Sequence, residues 1–188
     1  MKVKVLFLAL GFLSVSAMAE QSGFDKVMKL KGITFHVQAT NEGSLNKLTL
    51  TPSGFEGSNE VVKEEIDGSV VDAEVADLNS DGFPEIYIYT TSAGSGSSGS
   101  LLAYASNSNK SMTPIYLPPL EEDKKLSQGY MGHDKFSIDK NSLLRKFPIY
   151  KKGDSNAEPT GGTRQIAYEL VAGEAGWILK VKKSTDSK

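Results

Sequence analysis

From residue 32 to residue 182 the chain is cut into short apolar segments, each stopped by glycine, proline, asparagine or aspartate. This punctuation constrains the fold more than any other feature. A period of two puts neighbouring side chains on opposite faces of a strand, and little of the chain repeats with the period an amphipathic helix needs. Ile33, Phe35 and Val37 share one face, and residues 45–50 can return beside them after Asn41-Glu42-Gly43. Thr51-Pro52-Ser53-Gly54 then breaks the pattern. Residues 61–66 and 70–76 flank Asp67-Gly68, a pair favoured in tight hairpins. In the second of these, Val71, Ala73 and Val75 are expected on one face and Asp72 and Glu74 on the other.

Further strands are expected at residues 85–91, 101–105, 113–117, 135–138, 143–150, 164–171 and 177–182. The strand at 113–117 must stop at Pro118-Pro119, which cannot continue a ladder. In the last pair, Ile166, Tyr168 and Leu170 are expected to point inward opposite Trp177, Leu179 and Val181. Residues 120–128 are the one short-helix candidate, with Glu121, Glu122 and Asp123 early and Lys124 and Lys125 later, as a helix dipole favours. Residues 151–162 read as a surface loop, and the tail after Lys182 as disordered. The fold class is therefore all-β, an antiparallel β-sandwich of about eight to ten strands.

The amino terminus predicts an address. Lys2 and Lys4 precede the apolar residues 5–15, and Ala17-Met18-Ala19 follows, the pattern of an export signal cut after Ala19. Residues 1–19 are thus expected to be a signal peptide and residues 20–188 a single domain, periplasmic or, as the alternative, secreted. The apolar run is too short to span a bilayer, so membrane insertion is not expected. With no cysteine in the chain, a disulfide scaffold, a thiol nucleophile and a cysteine metal site are all excluded, and the fold must rest on its core. A net charge of −2, more acidic once Lys2 and Lys4 are removed, argues against nucleic-acid partners.

Residues 90–101, TTSAGSGSSGSL, follow the strand Glu85-Ile86-Tyr87-Ile88-Tyr89. Gly94, Gly96 and Gly99 permit positive φ, and Ser95, Ser97 and Ser98 supply small hydroxyls that donate and accept. Two readings fit: a narrow polar finger able to enter a cleft, or a flexible connector. Gly94 and Gly99 have the separation of a phosphate loop, but Ser100-Leu101 replaces the Lys-Ser/Thr that would hold phosphate and magnesium. There is no G-x-S-x-G elbow. His36 and His133 read as structural or exposed, and no nucleophile and base can be nominated, so an enzyme is not expected.

Residues 77–85, Asp-Leu-Asn-Ser-Asp-Gly-Phe-Pro-Glu, carry the D-x-N-x-D-G spacing that converges oxygens on calcium. An EF-hand fails because its twelfth position is Ile88. A shorter site from Asp77, Asn79, Asp81 and Glu85 is one reading. The other is a metal-free loop in which Asp77, Asn79 and Asp81 hydrogen-bond their own backbone and Gly82 takes positive φ. With Tyr87, Tyr89, Tyr104 and Tyr116, the calcium reading would imply a calcium-dependent glycan-binding or adhesion module.

Three features together carry a resemblance: the 77–89 stretch, the Ser/Gly loop followed by Leu101-Leu102-Ala103-Tyr104, and the closing segment from Gly161-Gly162-Thr163-Arg164 to Trp177. With the export signal, they make the chain similar to the bacterial periplasmic inhibitors of I-type (invertebrate) lysozyme. That resemblance implies a non-catalytic β-sandwich, often a homodimer, that plugs the active-site cleft of a host lysozyme, I-type first and other types as alternatives. It implies that residues 94–99 form the lysozyme-binding loop, with Tyr104 as a supporting contact and no cofactor. The family's Ser-Gly-x-Tyr motif matches Ser95-Gly96-Ser97 but meets Ser98 where tyrosine is expected, which removes a large aromatic anchor.

Overall fold

The computed structural model describes residues 23–188, so the expected signal peptide lies outside the described residues. Twelve strands form: β1 Phe24–Leu30, β2 Ile33–Ala39, β3 Leu45–Ser53, β4 Val62–Asp67, β5 Ser69–Ala76, β6 Glu85–Thr91, β7 Gly99–Asn107, β8 Ser111–Tyr116, β9 Lys135–Asp139, β10 Ser142–Pro148, β11 Thr163–Ala172 and β12 Trp177–Ser187. They build a four-stranded sheet, β1-β2-β3-β4, and an eight-stranded sheet, β5-β6-β7-β8-β12-β11-β10-β9. All neighbours are antiparallel except β8 and β12, which run parallel through Trp177 opposite Ile115 and Ile178 opposite Tyr116. The fold is all-β and sandwich-like, as expected.

The larger sheet curls on itself. Its two edge strands meet where the Ile138 amide of β9 donates to the Glu74 carboxylate of β5 at 3.1 Å. Tyr87, Tyr89, Leu143, Phe147, Ile166, Tyr168, Leu170 and Leu179 fill the enclosed interior. A second core lies between the smaller sheet and the outside of the larger one, where Ile33, Phe35, Val37, Leu48 and Leu50 pack on Val70, Ala73, Ile86 and Ile88. Strand β6 is thus a wall shared by both cores, and residues 85–90 are all buried. Its β-branched and aromatic sequence suits a strand covered on both faces.

Several local expectations change. The Asp67-Gly68 turn does not close a hairpin, because β4 pairs with β3 and β5 pairs with β6. It passes the chain from one sheet to the other, with Gly68 at φ 93°. A register shift between Val70 and Asp72 turns Val71 outward, 56% exposed, while Val70 and Ala73 point in. Residues 120–128 form no α-helix. Only Leu120–Glu122 make a 3₁₀ turn, and the Asp123 side chain accepts the Lys125 and Leu126 amides, which bends the chain and tucks Leu120 and Leu126 into the core. The tail after Lys182 is ordered rather than disordered: β12 continues to Ser187, and Arg164 grips Asp186 with two parallel bonds of 2.8 and 2.7 Å. Val181 is 47% exposed rather than inward, next to the register shift at Ala167/Tyr168 opposite it.

Candidate functional site

Strands β6 and β7 form a hairpin in register from Glu85 opposite Ala105 to Thr91 opposite Gly99, and the Ser/Gly segment is its tip. The tip has its own bonds: Ser92 N to Ser98 O at 2.9 Å, Ser98 N to Ser92 Oγ at 3.0 Å and Ser97 N to Gly94 O at 2.9 Å. Ser97 takes φ 43°, completing the tight turn that begins at Gly94. Gly94, Ser95 and Ser98 are exposed, Gly96 and Ser97 are half-buried, and Gly99 is buried. Ser95 stands at the exposed end of the tip, while Ser98, though exposed as a residue, turns its Oγ toward the 130–132 segment, 3.2 Å from where a Cβ on Gly132 would sit.

A second segment braces the tip from the side. The His133 amide donates to Gly96 O at 2.8 Å and to Ser97 O at 3.2 Å, and Asn156 Nδ2 donates to Ser95 O at 2.5 Å. Gly132 permits this approach, since a Cβ there would sit 1.9 Å from Gly96 O. At the base, Gly99 N donates to Asp134 Oδ2 at 2.8 Å. The Asp134 side chain is fully buried; its Oδ1 accepts from Arg145 Nε at 2.6 Å and its Oδ2 from the Tyr130 hydroxyl at 2.5 Å. Burial works against the Arg145 charge, but the Asp134 carboxylate outweighs it and holds the guanidinium above its ordinary pKa. Burial and the Asp134 bond push the Tyr130 hydroxyl up to about 12.

Residues 94–99 therefore form one hairpin tip, exposed at Gly94, Ser95 and Ser98 and buried at Gly99. Tyr104 does not join it: five residues along β7 from Gly99, it packs against the second core beside Val62 and Met112. The brace from Tyr130, Met131, Gly132, His133, Asp134 and Asn156 was not among the expected site residues. The local signal was a glycine beside a histidine and an aspartate, but its partners lie 35 and more residues away.

The 77–85 loop also forms a distinct structure. Asp77, Asp81 and Glu85 bring carboxylate oxygens within 4.8 Å of one another. Gly82 N donates to Asp77 Oδ2 at 3.1 Å, Asp81 N to Asn79 Oδ1 at 3.1 Å and Phe83 N to Asp81 Oδ1 at 2.8 Å, with Gly82 at φ 94°. These are the bonds expected of a self-satisfied loop. Lys31 Nζ lies 2.5 Å from Asp77 Oδ2 and supplies a fixed positive charge. Glu85 is buried, accepts the Leu78 amide at 2.8 Å, and has its carboxyl pushed up to about 8 by burial. Asn79 donates its Nδ2 to Asp81 Oδ2 and its Oδ1 accepts the Asp81 amide, so its oxygen is already engaged and is not offered as a ligand. The donor set is all oxygen, as a hard cation requires, and Asp77 Oδ1 is buried with no partner.

Each histidine ring has one polar side-chain neighbour. His36 Nε2 pairs with Asp25 on the outer face of the small sheet at 2.8 Å, and His133 Nε2 lies 3.2 Å from Asn156 Oδ1. Comparison of the chain with family models, curated proteins and solved structures returns no match.

Proposed function

We propose that this chain is an exported, non-enzymatic inhibitor of lysozyme, acting in the periplasm on I-type lysozyme first, with other lysozyme types as secondary targets. The observation that carries the reading is the hairpin tip: an exposed serine, Ser95, on a loop without bulk, fixed from behind by His133, Asp134 and Asn156. Lysozyme cuts with two carboxylates in a groove, one of them protonated to act as acid. A serine hydroxyl donates to the charged one and accepts from the protonated one, so a single small side chain matches both states.

Pre-ordering matters for affinity. Immobilising each free side chain at an interface costs about 0.5 to 1.5 kcal/mol, and a braced tip has already met much of that cost in folding. The test is a lysis assay of purified protein against I-type, g-type and c-type lysozymes. Inhibition of the I-type enzyme is expected, and no inhibition of any type at micromolar protein would overturn the reading.

One observation favours a second reading, a calcium-dependent glycan-binding or adhesion module: the unpartnered Asp77 Oδ1 beside Asp81 and Glu85. Calorimetric titration of calcium into chelator-treated protein separates the two. Heat release with a raised melting temperature would support a cation in the loop, and silence in both would leave Lys31 as its only counter-charge.

A further inference from the structure

We infer that Asp134 is the positioning residue of the hairpin tip, setting the conformation of residues 92–99 without touching the target. The inference rests on the reading of that tip as the inhibitory element. No side chain from Ser92 to Ser100 is larger than serine, and a Gly/Ser segment left to itself is a flexible coil. Its three internal bonds join Ser92 to Ser98 and Gly94 to Ser97, which close the loop but do not fix its angle to the body.

That angle is set from outside the hairpin. Asp134 spends one oxygen on Arg145 and the other on Gly99 N and the Tyr130 hydroxyl. Arg145 in turn is packed among the rings of Tyr130, Phe136 and Phe147, at 5.1, 5.4 and 5.9 Å. The residue before Asp134 carries the amide that holds Gly96 and Ser97. One buried carboxylate thus pins the start of β7 and, through its neighbour, the top of the tip.

Gly99 makes the contact fit. A Cβ there would sit 2.5 Å from Asp134 Cβ and 3.1 Å from the Phe136 ring. A buried ion pair is seldom a better source of stability than well-packed apolar side chains, whereas it does specify one geometry over others. Its place directly under the tip, with Arg145 seated on Phe147 of the first core, fits the second use.

The experiment is amide hydrogen exchange on the free full-length mature chain, followed by inhibition of I-type lysozyme. In Asp134→Asn, the Ser97, Ser98, Gly99 and His133 amides should exchange at least tenfold faster while Ile86 and Ile166 amides keep their wild-type order of protection. Inhibition should weaken by tenfold or more. Tyr130→Phe removes the hydroxyl that donates to Asp134 and accepts from Arg145 but no charge, so it should show the same pattern more weakly and serves if Asp134→Asn does not fold.

The double change Asp134→Leu with Arg145→Met separates positioning from plain stability. Its melting temperature should recover toward wild type while the tip stays loose and inhibition stays weak. Recovery of both tip protection and inhibition with the melting temperature would overturn the inference, as would unchanged tip exchange in Asp134→Asn. Because exchange is read without lysozyme, a wild-type protein that fails to inhibit removes the functional reading and leaves the positioning result readable on its own.

Discussion

Tyr89 stacks on Phe136 inside the curled sheet, with ring centroids 5.8 Å apart and planes 18° from parallel, and this contact leaves the Tyr89 hydroxyl buried with no partner. An unsatisfied buried hydroxyl costs free energy that its ring does not need to incur. Tyr89→Phe should therefore raise unfolding free energy by about 1 kcal/mol, seen as a shift of about 2–4 °C in melting temperature. A loss of stability in chemical denaturation would mean that the hydroxyl has a partner, such as a bound water, that matters.

Glu85 makes stability depend on pH in a defined direction. Its carboxyl is pushed from the ordinary 4.5 to about 8 by burial, against the opposing bond from Leu78. Below pH 4.5 both folded and unfolded chains hold the proton. Between 4.5 and about 8 the unfolded chain releases it while the folded chain keeps it, so stability falls as pH rises through that window. Glu85→Gln keeps an acceptor for Leu78 and cannot ionise. It should flatten the slope and be more stable than wild type at pH 8.5 by an amount on the order of a few kcal/mol. Equal pH slopes in melts of the two proteins from pH 5 to 8.5 would show that Glu85 titrates normally.

What was legible in the sequence follows from how local each feature is. Ile33, Phe35 and Val37 alternate without interruption, and all three are buried as expected. Strand β1 was invisible for the opposite reason. Its inward positions are Phe24, Lys26 and Met28, with Lys26 reaching Asp72, while the apolar Val27 faces out at 61% exposure, so the period-two signal is erased. The misplacement of Val71 came from one extra residue in the β5–β6 ladder, which no composition marks. The Ser/Gly tip itself was legible because glycine and serine act locally. Its brace was not, since the bonds from Asp134 and Asn156 span 35 and 61 residues.

Gly68 is where the chain leaves the small sheet for the large one, and the crossing is tight. Its φ is 93°, its amide donates to Ser44 O at 2.6 Å, and a Cβ would sit 1.8 Å from Thr91 O at the end of β6. Gly68→Ala combines an unfavourable backbone angle with a clash against main chain that cannot swing aside. It should cost more than about 2 kcal/mol in denaturant unfolding. Gly82→Ala, at φ 94° with no atom within 4 Å of its Cβ, should cost only the strain of the angle, about 1 kcal/mol. A Gly68→Ala protein no less stable than Gly82→Ala would show that the two sheets can separate there without penalty.

The tip offers a gain as well as a loss. Ser98 is exposed, and it occupies the place where the family resemblance calls for tyrosine. Large aromatic side chains anchor protein interfaces because they bury much area at little entropic cost. If the tip enters a sugar-cutting groove, Ser98→Tyr adds an anchor at its rim and should tighten inhibition of I-type lysozyme about tenfold, or about 1.4 kcal/mol. On the same reading, Ser95→Ala would remove the hydroxyl proposed to meet the carboxylates and should weaken inhibition by a similar factor. Asn156 holds the Ser95 carbonyl and not its side chain, so the melting temperature of Ser95→Ala should stay within about 2 °C of wild type, whereas Ser98→Tyr gives up the contact of Ser98 with Tyr130 and its ring must turn outward past Gly132. Inhibition constants measured on both variants decide the matter. Opposite shifts place the tip in the groove, and two unchanged values would move the contact surface elsewhere on the molecule.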